Sequence, residues 1–174
     1  MVTWLAQLPP PGLAILMVCM GNICRSPTAA AVVGHHLRQA GLAERIRVDS
    51  AGTLGQHAGQ APDPRACKVA RQRGYDMSTL RARGIRNEDF SDFDLILAMD
   101  RDNLDHLRRR CPPAHQHKLR LFLDHAGGAL SGEVPDPYYG NEAGFERVLD
   151  LIESGSQGLV SQLQLDVSSI GKEA

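Results

Sequence analysis

A cysteine, five residues, an arginine and a hydroxyl residue follow one another in Cys19-Met20-Gly21-Asn22-Ile23-Cys24-Arg25-Ser26. Each part of that spacing suits an oxyanion. A short loop entering a helix can turn successive backbone N–H groups inward as a nest for an anion, and the positive end of the helix dipole points at the same place. Gly21 and Asn22 are the residue types that best tolerate the left-handed backbone such a turn needs. Helix N-termini favour the thiolate form of a cysteine, the nucleophilic form, and that is the use to which the position of Cys19 points. Arg25 offers a planar fork for two phosphate oxygens, which a lysine could not reproduce. Ser26 followed by Pro27 reads as the cap and first residue of the helix. Taken singly, Cys19 reads as a small buried residue, Ser26 as a cap and Arg25 as a surface charge. The joint spacing points to phosphoryl chemistry, and the Gly-Lys-Ser/Thr ending of a nucleotide-binding loop is absent.

Such a nucleophile needs a proton donor for the leaving group. Two carboxylates stand between prolines: Asp63 in Pro62-Asp63-Pro64 and Asp136 in Val134-Pro135-Asp136-Pro137-Tyr138-Tyr139. Asp63 directly precedes a helical pattern and reads as its cap. The prolines beside Asp136 stiffen its loop and can fix the direction of its carboxylate, although on residues alone such a segment is more often just a turn. Tyr138 and Tyr139 suit either the walls of an aromatic cleft or the anchoring of a loop. The histidines offer no metal set: His35 and His36 point in different directions from one helix, and His115 and His117 lack a clear third ligand. The chemistry requires no cofactor.

These side chains need a scaffold. The continuous apolar run at 13–19 and the stretches at 46–50, 93–99 and 118–123 read as strands, and helical patterns at 27–40, 64–73, 101–110 and 142–163 separate them. Strand–helix alternation implies an α/β fold with a parallel sheet and right-handed crossovers. Ligands then gather beyond the carboxyl ends of the strands, and Cys19 ends the first one.

Composition agrees with a single soluble domain. The chain has 174 residues, 43% apolar and 22% charged, with a formal net charge of -1. Nothing there attracts nucleic acid, and the run Arg108-Arg109-Arg110 reads as the solvated end of a helix. Four scattered cysteines without CxxC pairs fit a reduced, cytoplasmic protein. The opening segment lacks a basic residue and is broken by Pro9, Pro10, Pro11 and Gly12, so it reads neither as a signal peptide nor as a membrane span. The expected organisation is a disordered extension at 1–12, one domain at 13–163 and a polar, frayed tail at 164–174.

The chain resembles the low-molecular-weight protein tyrosine phosphatases. VCMGNICRSPTAA at 18–30, VDSAGT at 48–53, PDPRA at 62–66, LRAR at 80–83, FDLILAMDRDN at 93–103 and VPDPYYG at 134–140 carry the resemblance. It implies a three-layer α/β sandwich, phosphatase-I or flavodoxin-like, with a four-stranded parallel sheet of order 2-1-3-4. It implies hydrolysis of phosphotyrosine and small aryl phosphates in two steps, with inorganic phosphate as product. Cys19 would attack phosphorus, Arg25 would bind the equatorial oxygens and Asp136 would serve as general acid and then base. Met20, Gly21, Asn22, Ile23, Cys24 and Ser26 would line the phosphate loop, with Ser26 also easing departure of the thiolate. Asn22 would hold the loop in shape, with Ser50 in the same network. Tyr138 and Tyr139 would flank the substrate ring and would themselves be targets of a partner tyrosine kinase. The resemblance also implies a reversible disulfide between Cys24 and Cys19. A thiolate and a protonated aspartate together would give a bell-shaped pH profile with a mildly acidic optimum.

Two positions depart from common family patterns. Gln56 stands where some members carry an aromatic cleft residue, and Leu80 where some carry a histidine that supports the loop asparagine. The rival activity on a similar scaffold is arsenate reduction, which needs further cysteines for a disulfide relay. Cys67 and Cys111 form no close pair in the sequence.

Overall fold

The computed structural model describes residues 12–125 and 132–170. The expectation for residues 1–11 lies outside them. Four parallel strands, β1 (Leu13–Cys19), β2 (Ile46–Gly52), β3 (Leu95–Ala98) and β4 (Leu119–Leu121), form one sheet of order β2-β1-β3-β4. Helices α1 (Arg25–Gln39), α2 (Pro64–Gln72), α3 (Asp89–Asp92), α4 (Arg101–Arg110) and α5 (Glu142–Ile170) cover both faces.

The unbroken apolar run of β1 follows from its central place. All seven of its residues are buried. Leu13, Ile15, Met17 and Cys19 face one core with residues of α1, α2 and α5, while Ala14, Leu16 and Val18 face a second with residues of α3 and α4. Period-two alternation thus feeds two hydrophobic layers. Cys19 leaves the sheet on the side of α1 and α5.

Several elements end elsewhere than their patterns imply. β3 is shorter than 93–99 because Phe93 is the C-cap of the unforeseen α3, although Met99 N–H still reaches the Val18 carbonyl at 2.9 Å. β4 stops at Leu121, where Phe122–His125 tightens into a 3-10 turn that buries Phe122 and Leu123 in the first core. β2 runs on to Gly52. Through Ile170 the expected frayed tail is helix: Leu163 is buried and Val167 packs on the first core, so the apolar stripe continues past the polar stretch. None of the helices among the described residues is long and apolar enough to cross a membrane.

Candidate active site

The loop between β1 and α1 turns back on Asn22, whose φ of 57° makes it the one non-glycine residue with positive φ among the described residues. Its carboxamide is satisfied at both ends. Nδ2 donates to Ser26 Oγ and to Ser50 Oγ, each at 2.9 Å, and Oδ1 accepts the Arg83 backbone N–H at 2.9 Å. The last contact answers the question posed by Leu80, whose side chain packs instead against the first core. Ser26 Oγ then lies 3.0 Å from Cys19 Sγ. A chain of buried polar groups therefore runs from Ser50 through Asn22 and Ser26 to the sulfur.

The placement of Ser26 corrects the sequence reading. α1 begins at Arg25, its N-cap is Cys24 without a side-chain capping bond, and Ser26 lies inside the first turn. The Ser26 hydroxyl is committed to Sγ and Asn22 and is not spent on the helix end. Pro27 is tolerated in that turn because N–H groups there have no intrahelical partner. The end of β2 fastens the loop from its other side: Thr53 N–H reaches the Cys19 carbonyl at 2.8 Å and Leu54 N–H the Met20 carbonyl at 3.0 Å. Gly52 is required there, since a Cβ would sit 2.7 Å from the carbonyl oxygens of both Met20 and Leu54.

Arg25 is almost wholly buried, its side chain 3% exposed. Nη1 donates to Asp100 Oδ2 at 2.5 Å and to the Val134 carbonyl at 3.0 Å, and Nη2 reaches Asp136 Oδ2 at 3.4 Å. Burial opposes its charge, but Cys19, Asp100 and Asp136 outweigh that and hold its pKa above the ordinary value. Asp136 is 37% exposed, and its Oδ1 accepts the Tyr138 N–H at 3.1 Å. Asp63 caps α2 by accepting Arg65 N–H at 2.8 Å, and the hydrogen-bonded Arg65 side chain holds its pKa below the usual carboxylate value.

A cleft of about 210 Å³ opens above the loop, with Cys19, Met20, Gly21, Ile23, Cys24 and Arg25 as its floor. Gln56, His57, Asp136, Tyr138 and Tyr139 form its rim. The side chains of Asn22 and Ser26, expected among the substrate contacts, lie beneath the loop and support it from there. Tyr138 and Tyr139 meet edge to face at 5.0 Å, and Tyr139 is 95% exposed. Burial and then the Asp63 carboxylate push the Cys24 thiol far up, and both Cys19 and Cys24 are free thiols.

Two site residues escaped the sequence reading. Asp100 lies just beyond β3, at the carboxyl edge where ligands gather, and its position in FDLILAMDRDN carried that signal. It also caps α4 through the Asn103 N–H. His57 stands against Gly21 with Nδ1 3.1 Å from Gln60 Oε1, and nothing in its local pattern singled it out.

The family model described as low molecular weight phosphotyrosine protein phosphatase matches residues 14–169. The chain belongs to that family. This phosphatase is 41% identical over 158 residues to a low molecular weight protein-tyrosine-phosphatase of Streptomyces coelicolor, covering 88% of this chain and 94% of the relative. YfkJ of Bacillus subtilis, another low molecular weight protein-tyrosine-phosphatase, is 37% identical, with 87% and 96% covered. The crystal structure of YfkJ superimposes with a TM-score of 0.84 at 35% identity, covering 89% of this chain and 96% of that one. A protein tyrosine phosphatase of Entamoeba histolytica, crystallised with Hepes in its active site, gives a TM-score of 0.83 at 42% identity, with 87% and 96% covered. The phosphatase is accordingly a hydrolase, and the observed sheet order is the one its family resemblance implied.

Proposed function

We propose that the chain hydrolyses phosphotyrosine in proteins through a phosphocysteine on Cys19. The observation that supports this best is one cleft with the Cys19 sulfur and the Arg25 guanidinium in its floor and the Asp136 carboxylate at its rim. The thiolate attacks phosphorus while Arg25 and the loop amides take the equatorial oxygens. As the P–O bond breaks, protonated Asp136 gives its proton to the tyrosine oxygen, which leaves as a phenol. Water then attacks the phosphocysteine and gives a proton to the Asp136 carboxylate. Inorganic phosphate departs and Cys19 is released as thiolate, accepting a hydrogen bond from Ser26 Oγ.

Gln56, Tyr138 and Tyr139 flank the substrate ring in this reading, and exposed Tyr139 is the more accessible target for a tyrosine kinase. Cytoplasmic residence fits four free cysteines. Cys24 serves as disulfide partner of Cys19 when the nucleophile is oxidised. Arsenate reduction is not favoured. Cys111 lies in the core on the opposite face of the sheet and Cys67 on α2, and neither lines the cleft.

Turnover of phenyl phosphate tests the roles. Cys19→Ser is expected to abolish turnover and the burst of phenol. Asp136→Ala is expected to slow turnover by about 10²–10⁴-fold, with a much smaller loss for leaving groups that need no proton. Wild-type phenyl phosphate turnover in Asp136→Ala would remove Asp136 from the mechanism.

A further inference from the structure

Asn22 depends on a group that no side-chain pattern reveals. Its Oδ1 is held by the peptide N–H of Arg83, and the Arg83 carbonyl accepts the Gly52 N–H at 2.8 Å. Gly52 in turn lies against the Met20 carbonyl, so both bonds of the Arg83 peptide reach the phosphate loop or the backbone touching it. Residues 81–86 have little ladder of their own. Their backbone meets the sheet at the isolated bridge between Gly52 and Gly84, with Ala82 paired to Gly59 and Gln60 and Ile85 buried in the second core. These contacts set the path of the segment, and one further hold acts on residue 83 itself to keep its N–H against Asn22.

The Arg83 side chain supplies it. Its guanidinium is clasped between two carboxylates: Nη2 and Nε reach Asp49 Oδ2 at 2.9 and 3.2 Å, and Nη1 reaches Asp89 Oδ2 at 2.9 Å. The Asp89 side chain is 0% exposed and also accepts the Arg86 N–H at 2.7 Å, which pins the far end of the segment. Asp49 carries the clasp to the other side of Asn22. Its Oδ1 accepts the Ser50 N–H at 2.7 Å, and Ser50 Oγ accepts from Asn22. A left-handed non-glycine residue persists only where its surroundings over-determine it, and Asn22 is held from both sides by groups fastened to one guanidinium.

We infer that Arg83 is a positioning residue: clasped between Asp49 and Asp89, it holds its peptide N–H against Asn22 and so fixes the turn that shapes the anion-binding loop. This rests on the function proposed above. A lysine cannot take its place, because a single ammonium cannot span two carboxylates as a planar fork does.

The test measures kcat for phenyl phosphate and, by calorimetry, the dissociation constant for inorganic phosphate, well below each variant's melting temperature. Arg83→Lys is expected to lower kcat about tenfold and to weaken phosphate binding to a similar degree, as a small displacement of the loop would. Asp49→Asn keeps the cap on Ser50 and weakens one arm of the clasp, so it is expected to shift both quantities the same way by a smaller factor. It also serves where Arg83→Lys fails to fold. Arg73→Lys is the control. Arg73 clamps Glu146, Asp150 and Glu153 of α5 at the other end of α2, and its loss is expected to lower the melting temperature alone. Arg83→Lys and Asp49→Asn with kcat and phosphate affinity both within twofold of the parent would overturn the inference. Phosphate binding needs no turnover, so it reads the clasp separately from the dependence of catalysis on Cys19.

Discussion

Arg25 lies between two carboxylates that hold it in different ways, and Asp100→Asn separates them. Both oxygens of Asp100 are committed: Oδ2 to Arg25 Nη1 and Oδ1 to the N–H of Asn103 at the start of α4. An asparagine has one acceptor oxygen. Asn is as good a helix cap as Asp, so that oxygen stays with Asn103 and the amide NH₂ then faces the guanidinium, donor against donor. What is lost is a hydrogen bond between charged groups, worth about 1.5–3 kcal/mol. Asp100 is 20% exposed and Arg25 keeps the Val134 carbonyl and Asp136, so the lower part of that range applies, about 2 kcal/mol. For a chain of this size that lowers the melting temperature by about 4–8 °C. If the same energy is lost from the transition state, kcat/KM falls about 30-fold. Thermal melts alongside aryl phosphate turnover measure both effects. Parent-like melting and kcat/KM within twofold would mean that Val134 and Asp136 alone hold the guanidinium, and the account of Asp100 would fail.

Gly155→Ala should destabilise the fold by about 1–3 kcal/mol in a chemical denaturation series, because its Cβ would lie 2.8 and 2.9 Å from two ring atoms of fully buried Phe122, and the gain of about 1 kcal/mol in helix propensity does not offset that overlap. Burial, reinforced by the neighbouring His35, holds the His36 pKa below 6.5, and Nε2 has no hydrogen-bond partner among the described residues. The unfolded chain therefore takes up this proton first as pH falls, so stability is full above pH 6.5 and lost below it; His36→Leu should flatten the fall in melting temperature between pH 7 and 5.

The layer order was legible because β1 must be buried on both faces, which only a central strand in a covered sheet allows. Element ends were less so. Leu163 looks like the end of a helix because Gln164 and Asp166 interrupt the apolar pattern, yet Val167 returns to the same face and packs on the core. The start of α1 was misplaced because a serine before a proline looks like a cap, whereas here its hydroxyl answers to a sulfur seven residues earlier.

The groups around the cleft divide by what their function asks of the side chain. Nucleophile, fork and acid each need one residue type, and spacing alone could nominate Cys19 and Arg25. The partner of Asn22 Oδ1 is a peptide N–H, which every residue except proline carries, so no pattern around position 83 could have named it. The identity of that residue matters one step further out, where a guanidinium must meet carboxylates from β2 and α3, elements far apart in the chain. Sequence therefore reads poorly here for a definite reason: the loop's shape is set by a backbone group whose position depends on a side chain whose partners only the fold brings together. Substitutions near Arg83 that leave its fork intact should be silent, whereas Arg83→Lys, which keeps the charge but loses the fork, should reach the phosphate loop.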